Sequence, residues 1–399
     1  MSRVRAITLA ALAILLAAPA CLAEDADEPK PFLTIDSSDF IDWCEDTYCF
    51  MPAMGLYYNR VDGLLYYLGV QYRNDEHLHP RFRALRGWTS ARKEDYYQID
   101  FEQPLFSQDV FSFGVSFYEK TGWSEDDNEA ISDFANNLLS FAARLDRRDY
   151  FERDGFTVFT QLKATTELTL RLEFRADELT SLETRQSVWS VFRQNKNWEE
   201  NPPLRIGNLN APDVVEEFEG TMRSYYGSVV YDGRDPYRRT GWMGRWLFEF
   251  AGGIAGGDYY FRRHMIDLRQ HIRMTDTQTL SLRGSWGIGN GTDFPSHKLF
   301  YLGGGATLRG YEWKEFSGKN MLFGRVEYGV RVLPELQVIY FFDTGSVWYA
   351  GGDVSREALG DLGVGLRFEI PGLGDVRLDL ARAATTEDAD VMVDIQVYY

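Results

Sequence analysis

The chain has 399 residues, 44% of them hydrophobic and 15% aromatic, with 36 glycines, which is ample material for a packed fold. Its 60 acidic residues outweigh 42 basic ones for a formal net charge of −18, which argues against nucleic acid as a partner and against docking on an anionic lipid surface. Mean hydropathy is −0.34, and beyond residue 23 no run of 18 apolar residues occurs, so helical membrane spans are excluded. Strands that are apolar on one face only escape that test.

In chain order, Arg3 and Arg5 precede an apolar run from Ala6 to Ala18, followed by Pro19 and the small residues Ala20 and Ala23. This layout reads as a secretory signal peptide over 1–23, cleaved after Cys21-Leu22-Ala23. The apolar run falls short of the roughly 20 residues of a spanning helix. A lipoprotein signal ending at Cys21 is the alternative, with Pro19 awkward there. Without the leader, 40 basic residues face 60 acidic ones, a net of −20. The stretch 24–50 carries nine acids and one lysine and reads as a solvated, partly disordered N-terminal extension. Within it, Cys44 and Cys49 are spaced for a small-loop disulfide in an exported protein, or remain two free thiols. A zinc site would need two more soft ligands nearby, so no metal is expected.

From Met51 onward the dominant signal is period-two alternation. Tyr97, Ile99 and Phe101 alternate with Gln98, Asp100 and Glu102, and Leu168, Leu170, Leu172 and Phe174 with Glu167, Thr169, Arg171 and Glu173. Trp246, Phe248 and Phe250 oppose Arg245, Leu247 and Glu249. The same rhythm runs through Val364–Ile370, Val376–Leu380 and Val391–Tyr399. Two stretches interrupt it. Ala130, Ile131, Phe134, Leu138, Leu139 and Phe141 have helical spacing, predicting a short amphipathic helix within 126–153, and Asn201-Pro202-Pro203 marks a long irregular loop over 180–215.

A soluble sandwich would also alternate. A membrane barrel accounts better for strands of about ten residues, for aromatics at their ends and for a pattern kept to the last residue. The expected fold is all-β: a transmembrane antiparallel barrel over 51–399, with 16 strands, and 12 or 14 left open. About 15 strands can be counted, the sixteenth lying near Ala53–Tyr58 or Ser187–Phe192. Arg171, Arg245, Arg269, Arg283, Arg325, Arg367 and Arg377 would then line an ionic interior.

From 299 to 399 four pieces follow in order: Leu302-Gly303-Gly304 with Leu308-Arg309-Gly310-Tyr311, Arg325-Val326-Glu327-Tyr328, Phe341-Phe342-Asp343-Thr344-Gly345, and Gly363-Val364-Gly365-Leu366-Arg367-Phe368. Together they resemble the BamA/TamA-like surface-antigen superfamily of outer-membrane barrels. Weaker similarity attaches to Tyr58-Asn59-Arg60-Val61-Asp62-Gly63, Arg148-Asp149-Tyr150 and Tyr231-Asp232-Gly233-Arg234-Asp235. The resemblance implies a place in the bacterial outer membrane and work in insertion, assembly or translocation of proteins, or of lipids. It also implies outer-membrane lipid, unfolded outer-membrane proteins and the barrel-assembly machinery as partners. Only 27 residues separate the expected cleavage site from Met51, too few for a polypeptide-transport-associated domain, so a minimal member lacking such domains is expected.

The resemblance further implies a loop inserted into the lumen, with Arg309 tied to Glu327 and Asp343. Physically, Gly303–Gly305 and Gly310 would permit a φ-positive path. A desolvated Arg309 needs partners, and a planar guanidinium can bridge two carboxylates. Leu308, Tyr311 and Gly345 complete the lock, which serves either to hold the loop or to gate the barrel. Ile395, Val397 and Tyr399 are similar to the C-terminal signal by which such barrels are assembled. No catalytic or cofactor-binding residue is expected. The histidines lack HExxH spacing, Gly284-Ser285-Trp286-Gly287 lacks a nucleophile elbow, and His77 and His79 near acids are the one imitation of a protease site. Against the assembly reading stands a passive pore or structural barrel.

Overall fold

The computed structural model describes residues 49–73, 79–106, 110–124, 133–207, 215–235, 240–349, 358–370, 374–384 and 391–398. The leader, the acidic extension up to residue 48 with Cys44, the side chain of Cys49, His77 and Tyr399 lie outside the described residues, as do the side chains of Ile395 and Val397.

Sixteen strands hydrogen-bond in chain order, each beside its sequence neighbour. They are β1 (Cys49–Asn59), β2 (Gly63–Arg73), β3 (Arg81–Thr89), β4 (Asp95–Leu105), β5 (Phe111–Trp123), β6 (Tyr150–Lys163), β7 (Leu168–Ser181) and β8 (Gly220–Asp232). The meander continues through β9 (Gly241–Ala251), β10 (Phe261–Arg273), β11 (Gln278–Asn290), β12 (Asn320–Leu333), β13 (Leu336–Trp348), β14 (Leu359–Ile370), β15 (Gly374–Ala383) and β16 (Val391–Tyr398). The strands run antiparallel, from Cys49↔Arg73 in the first hairpin to Asp375↔Tyr398 in the last. The sixteenth strand is β1, so Ala53–Tyr58 lies in the sheet, whereas Ser187–Phe192 is irregular loop. Within β16, Ile395 pairs with Leu378 and Val397 with Val376.

Two tight turns are built alike. Ala164 N–H donates to the Leu168 carbonyl while the Thr165 hydroxyl accepts from the N–H groups of Glu167 and Leu168. Met274 and Thr275 repeat the arrangement before Gln278. A hydroxyl that answers the turn's own N–H groups is how threonine closes a hairpin without glycine.

The chain divides into two compact units. In the first (Met1–Ser124, Ile131–Thr160 and Ala176–Pro203), Leu64, Tyr66, Leu68 and Val70 on β2 and Tyr97, Ile99 and Phe101 on β4 are exposed, an apolar face. The opposite face carries Arg83–Asp100 at 2.9 Å, and Asp177, which accepts from Tyr118 at 2.7 Å and Arg153 at 2.9 Å. The predicted helix is α1 (Asp133–Ala143), which Phe134, Leu138 and Phe141 help to pattern and which ends where Arg144 turns left-handed at φ 54°. Its final carbonyls are not left bare: Phe141 O accepts from Val191 N–H and Ala142 O from Phe192 N–H. The irregular loop around Ser187–Phe192 thus caps the helix.

In the second unit (Glu125–Ala130, Gln161–Arg175 and Leu204–Tyr399), Trp242, Trp246, Leu322, Val326, Tyr340, Phe342, Leu362 and Val364 are exposed. Glu249, Arg263, Asp267, Asp343, Arg377 and Asp379 are buried. Large apolar side chains outside and ions inside invert the order of a water-soluble sheet. Two small sheets sit beside the main one: Arg205–Gly207 pairs with Val215–Glu217 and Phe294–Pro295, and Phe300–Leu302 with Phe316–Gly318.

Candidate functional site

The long connection between β11 and β12, residues 291–319, folds back onto the polar face of the second unit. The two-stranded pairing of Phe300–Leu302 with Phe316–Gly318 forms its base. The tip turns through Gly303 at φ 117° and Gly304 at φ 87°, where any Cβ would be strained. Gly304 N–H donates to Leu308 O at 2.9 Å, and the Thr307 hydroxyl accepts from Gly303 N–H at 2.9 Å. Gly310 does not have the positive φ expected of it. Its need is proximity, since a Cβ there would lie 2.7 Å from Ala383 N and 2.7 Å from Asp361 Cβ.

Apolar side chains seat the tip first. Phe300, Leu302 and Leu308 are fully buried with Met265, Met321, Phe323 and Tyr311. Gly345 leaves room for this packing, as a Cβ on it would sit 2.8 Å from Leu302 Cδ1. Tyr311 then donates its hydroxyl to Gly360 O at 3.2 Å.

Arg309, 1% exposed, is set by this frame into an ionic lattice. Its Nε and Nη2 meet the two oxygens of Asp343 at 2.8 and 2.9 Å, a bidentate fork. Its Nη1 donates to Glu327 Oε1 at 2.8 Å and Asp379 Oδ2 at 3.1 Å. The guanidinium lies 3.3 Å above the centre of the Phe341 ring. Arg325 bonds Asp343 at 2.8 Å, and Arg377 forms an ion pair with Glu327 at 2.9 Å and bonds Asp379 at 2.8 Å. Three arginines therefore alternate with three carboxylates. The strands also hold the loop backbone: Arg325 donates to Thr307 O at 2.6 Å and Gly305 O at 3.2 Å, and Arg283 to Ala306 O at 3.1 Å.

The structure brings together Leu308, Arg309, Gly310, Tyr311, Glu327, Asp343 and Gly345, the residues singled out in the sequence. Asp379, the Phe341 ring and the arginine contacts to the loop carbonyls were not anticipated. Strand parity had put Arg325 and Arg377 on the polar face but could not give their partners, because that depends on register.

A second polar centre lies in the first unit, at the turn between β1 and β2. The Asn59 carboxamide oxygen accepts from the N–H groups of Val61 and Asp62, shaping the turn. Arg60, 2% exposed, donates from its backbone N–H to Asp146 Oδ2 at 2.9 Å, and from its guanidinium to Asp146 O at 2.6 Å, Asp149 at 3.3 Å and Asn201 at 3.3 Å. Asn201 in turn bridges Tyr150 and Leu182. Two separately noticed sequence pieces, around Arg60 and Asp149, thus meet. Burial pushes the Asp149 carboxyl up to about 6 although Arg60 opposes the shift, and Asp62 is raised by burial against the pull of Arg92.

Among the described residues no group of three or more His, Cys, Asp or Glu side chains is placed to hold a metal ion. Three of the four described histidines stand apart: His264 lies among Trp246, Phe248 and Phe250, His271 Nδ1 is 2.9 Å from the Ser281 hydroxyl, and His297 lies edge-on to Tyr259.

Comparison with known proteins places this geometry. Residues 81–397 match the Omp85 superfamily domain. The outer membrane protein assembly factor BamA of Nitratidesulfovibrio vulgaris (strain Hildenborough) is 26% identical over 190 residues, which is 42% of this chain and 24% of that protein. The match thus spans about a quarter of the curated relative. The crystal structure of BamA from Haemophilus ducreyi lacking POTRA domains 1–3 shares the fold with a TM-score of 0.57 at 12% identity, covering 88% of this chain and 70% of that one. The match to the superfamily domain covers well over half of the sequence, and the chain belongs to the Omp85 superfamily, with the bacterial outer membrane as its setting.

Proposed function

We propose that the sixteen-stranded sheet closes into one transmembrane barrel and that the loop 291–319 is held in its lumen by Arg309. The barrel works in the insertion and assembly, or the translocation, of proteins or lipids at the outer membrane. The observation that carries this reading is the lattice of Arg309 with Glu327, Asp343 and Asp379, which fastens one loop to three strands at once. Exposed aromatic and aliphatic side chains opposite a buried ionic face support closure, because hydrocarbon tolerates neither open sheet edges nor unpaired charges. β1 and β16 end the hydrogen-bonded order, so closure would place the seam between them. Incoming strands or lipid would disturb the wall at that seam, with unfolded outer-membrane proteins and the barrel-assembly machinery as partners.

Reconstitution into liposomes tests the activity directly. The protein should speed the folding of a second outer-membrane barrel added in urea, and absence of acceleration removes the assembly reading. Planar bilayers test the passive alternative. A seated loop gives small or flickering conductance, and large steady conductance would favour a pore.

A further inference from the structure

Among the described residues, one carboxyl beside the lattice has no arginine bonded to it. Arg309, Arg325 and Arg377 are matched one for one by Glu327, Asp343 and Asp379, all of them bonded. Asp361 on β14 is a fourth acid, 0% exposed, and neither of its oxygens has a hydrogen-bond partner among the described residues. In register it stands directly opposite Asp343 on β13 and Ala383 on β15. The charged groups that face it are therefore Asp343, whose charge repels a second carboxylate, and Arg309 from the loop and Arg325 from β12, both already committed to Asp343. Asp379 and Arg377 lie further along β15 on the same face and bond each other.

The loop itself covers this acid. Gly310 approaches so closely that its own missing Cβ would touch Asp361 Cβ, its backbone N–H faces the carboxyl without completing a bond, and Tyr311 is fastened to the adjacent Gly360. An ionised carboxylate shut in beside another one, with no partner, is among the costliest arrangements in a protein, and the group takes up a proton instead. Lifting the loop would admit water and remove that penalty.

We propose that Asp361 is a proton-binding site that ties the seating of the loop to pH: the seated loop covers the neutral acid, and loss of the proton to water lifts it. Only the proton changes hands, between a carboxyl oxygen and solvent. Because the seated state binds the proton more tightly, seating is strongest at low pH and weakens as pH rises. The proposal rests on the reading of the loop as a seated lock.

Trypsin reports the lifted state, since cleavage after Arg309 requires that buried side chain to leave its lattice. The full chain in detergent micelles is cut between pH 7 and 9, with the new terminus at Gly310 quantified against heat-unfolded protein at the same pH. The wild-type rate should rise with pH, by at most about tenfold per unit, the limit for release of one proton. Asp361→Asn should be cut as slowly as wild type at pH 7 and stay flat. Faster cutting of Asp361→Asn at pH 7, or persistence of its rise with pH, overturns the proposal. So does slower cutting of wild type at pH 7 on adding calcium or sodium chloride at matched ionic strength, which would mean a bound cation. Asp361→Ser, neutral and smaller, repeats the test, and failure of both neutral variants to fold also overturns it. Asp343→Asn separates the two readings. Rapid cutting at every pH upholds the lock whatever Asp361 does, and wild-type resistance in that variant would sink the lock itself.

Discussion

At the scale of single residues the loop is held by a few side chains whose loss should be disproportionate. Arg309→Ala strands Asp343 and part of Glu327 and Asp379 in a buried setting, and breaking one side of such a pair costs about 3–5 kcal/mol. Asp343→Ala leaves both Arg309 and Arg325 short of a partner. The double variant should be less harmful than the sum of the two, because the second removal relieves the first. The temperature at which the folded form is lost on gels checks this, and wild-type behaviour of both singles and the double would mean that no lock exists. Asp149 gives a prediction of opposite character. With its carboxyl raised to about 6 by burial, the folded state binds its proton more tightly than the unfolded chain does. The contribution of Asp149 to stability is then full below the ordinary aspartate range and shrinks as pH climbs through about 6. Measured against Asp149→Asn, the wild type should lose relative thermal stability between pH 5 and 7. A constant difference across that window would contradict the assignment.

At the scale of elements, how much was legible depended on whether a signal was local. Alternation announced most of the strands, and the spacing of Phe134, Leu138 and Phe141 announced α1. Arg325 shares a face with Glu327, and Asp343 with Phe341, as their spacing of two along each strand requires, because parity belongs to a single strand. What escaped was register. That Asp379 on β15 reaches the same guanidinium as Asp343 on β13 follows from strand stagger, which no single segment encodes. Gly310 was assigned a dihedral need when its real constraint is the backbone of β15, equally non-local. Asn201 is the clearest case: beside two prolines it reads as a loop breaker, yet its carboxamide satisfies Tyr150 N–H, Tyr150 O and Leu182 O. Asn201→Ala should leave these buried groups unpaired at about 1–3 kcal/mol. Hydrogen exchange would then show faster exchange at Tyr150 and across 182–204, while β9–β16 stay protected. Unchanged protection at Tyr150 would show that the carboxamide is dispensable.

At the scale of the whole molecule the question is which solvent the apolar face meets. Phe342 lies near the middle of β13, 47% exposed, between the equally exposed Val326 and Leu362 in register. On a water-facing sheet an arginine there would shift stability by no more than about 0.5 kcal/mol, the usual range for surface substitutions. In a bilayer the same change puts a cation near mid-depth of the hydrocarbon and costs about 2–4 kcal/mol, while positions nearer the strand ends cost about 0–1 kcal/mol. A series along the strand therefore reads the solvent as a profile. Tyr340→Arg and Phe342→Arg should be costly, Val338→Arg less so, and Phe342→Leu close to neutral, each measured by urea titration of protein folded into lipid vesicles. The polar face supplies the internal contrast, since Arg325 and Arg377 are stable there only because Asp343, Glu327 and Asp379 receive them. If arginine is tolerated equally at all three apolar positions, that face meets water, and the barrel, its seam and its seated loop lose their common premise together.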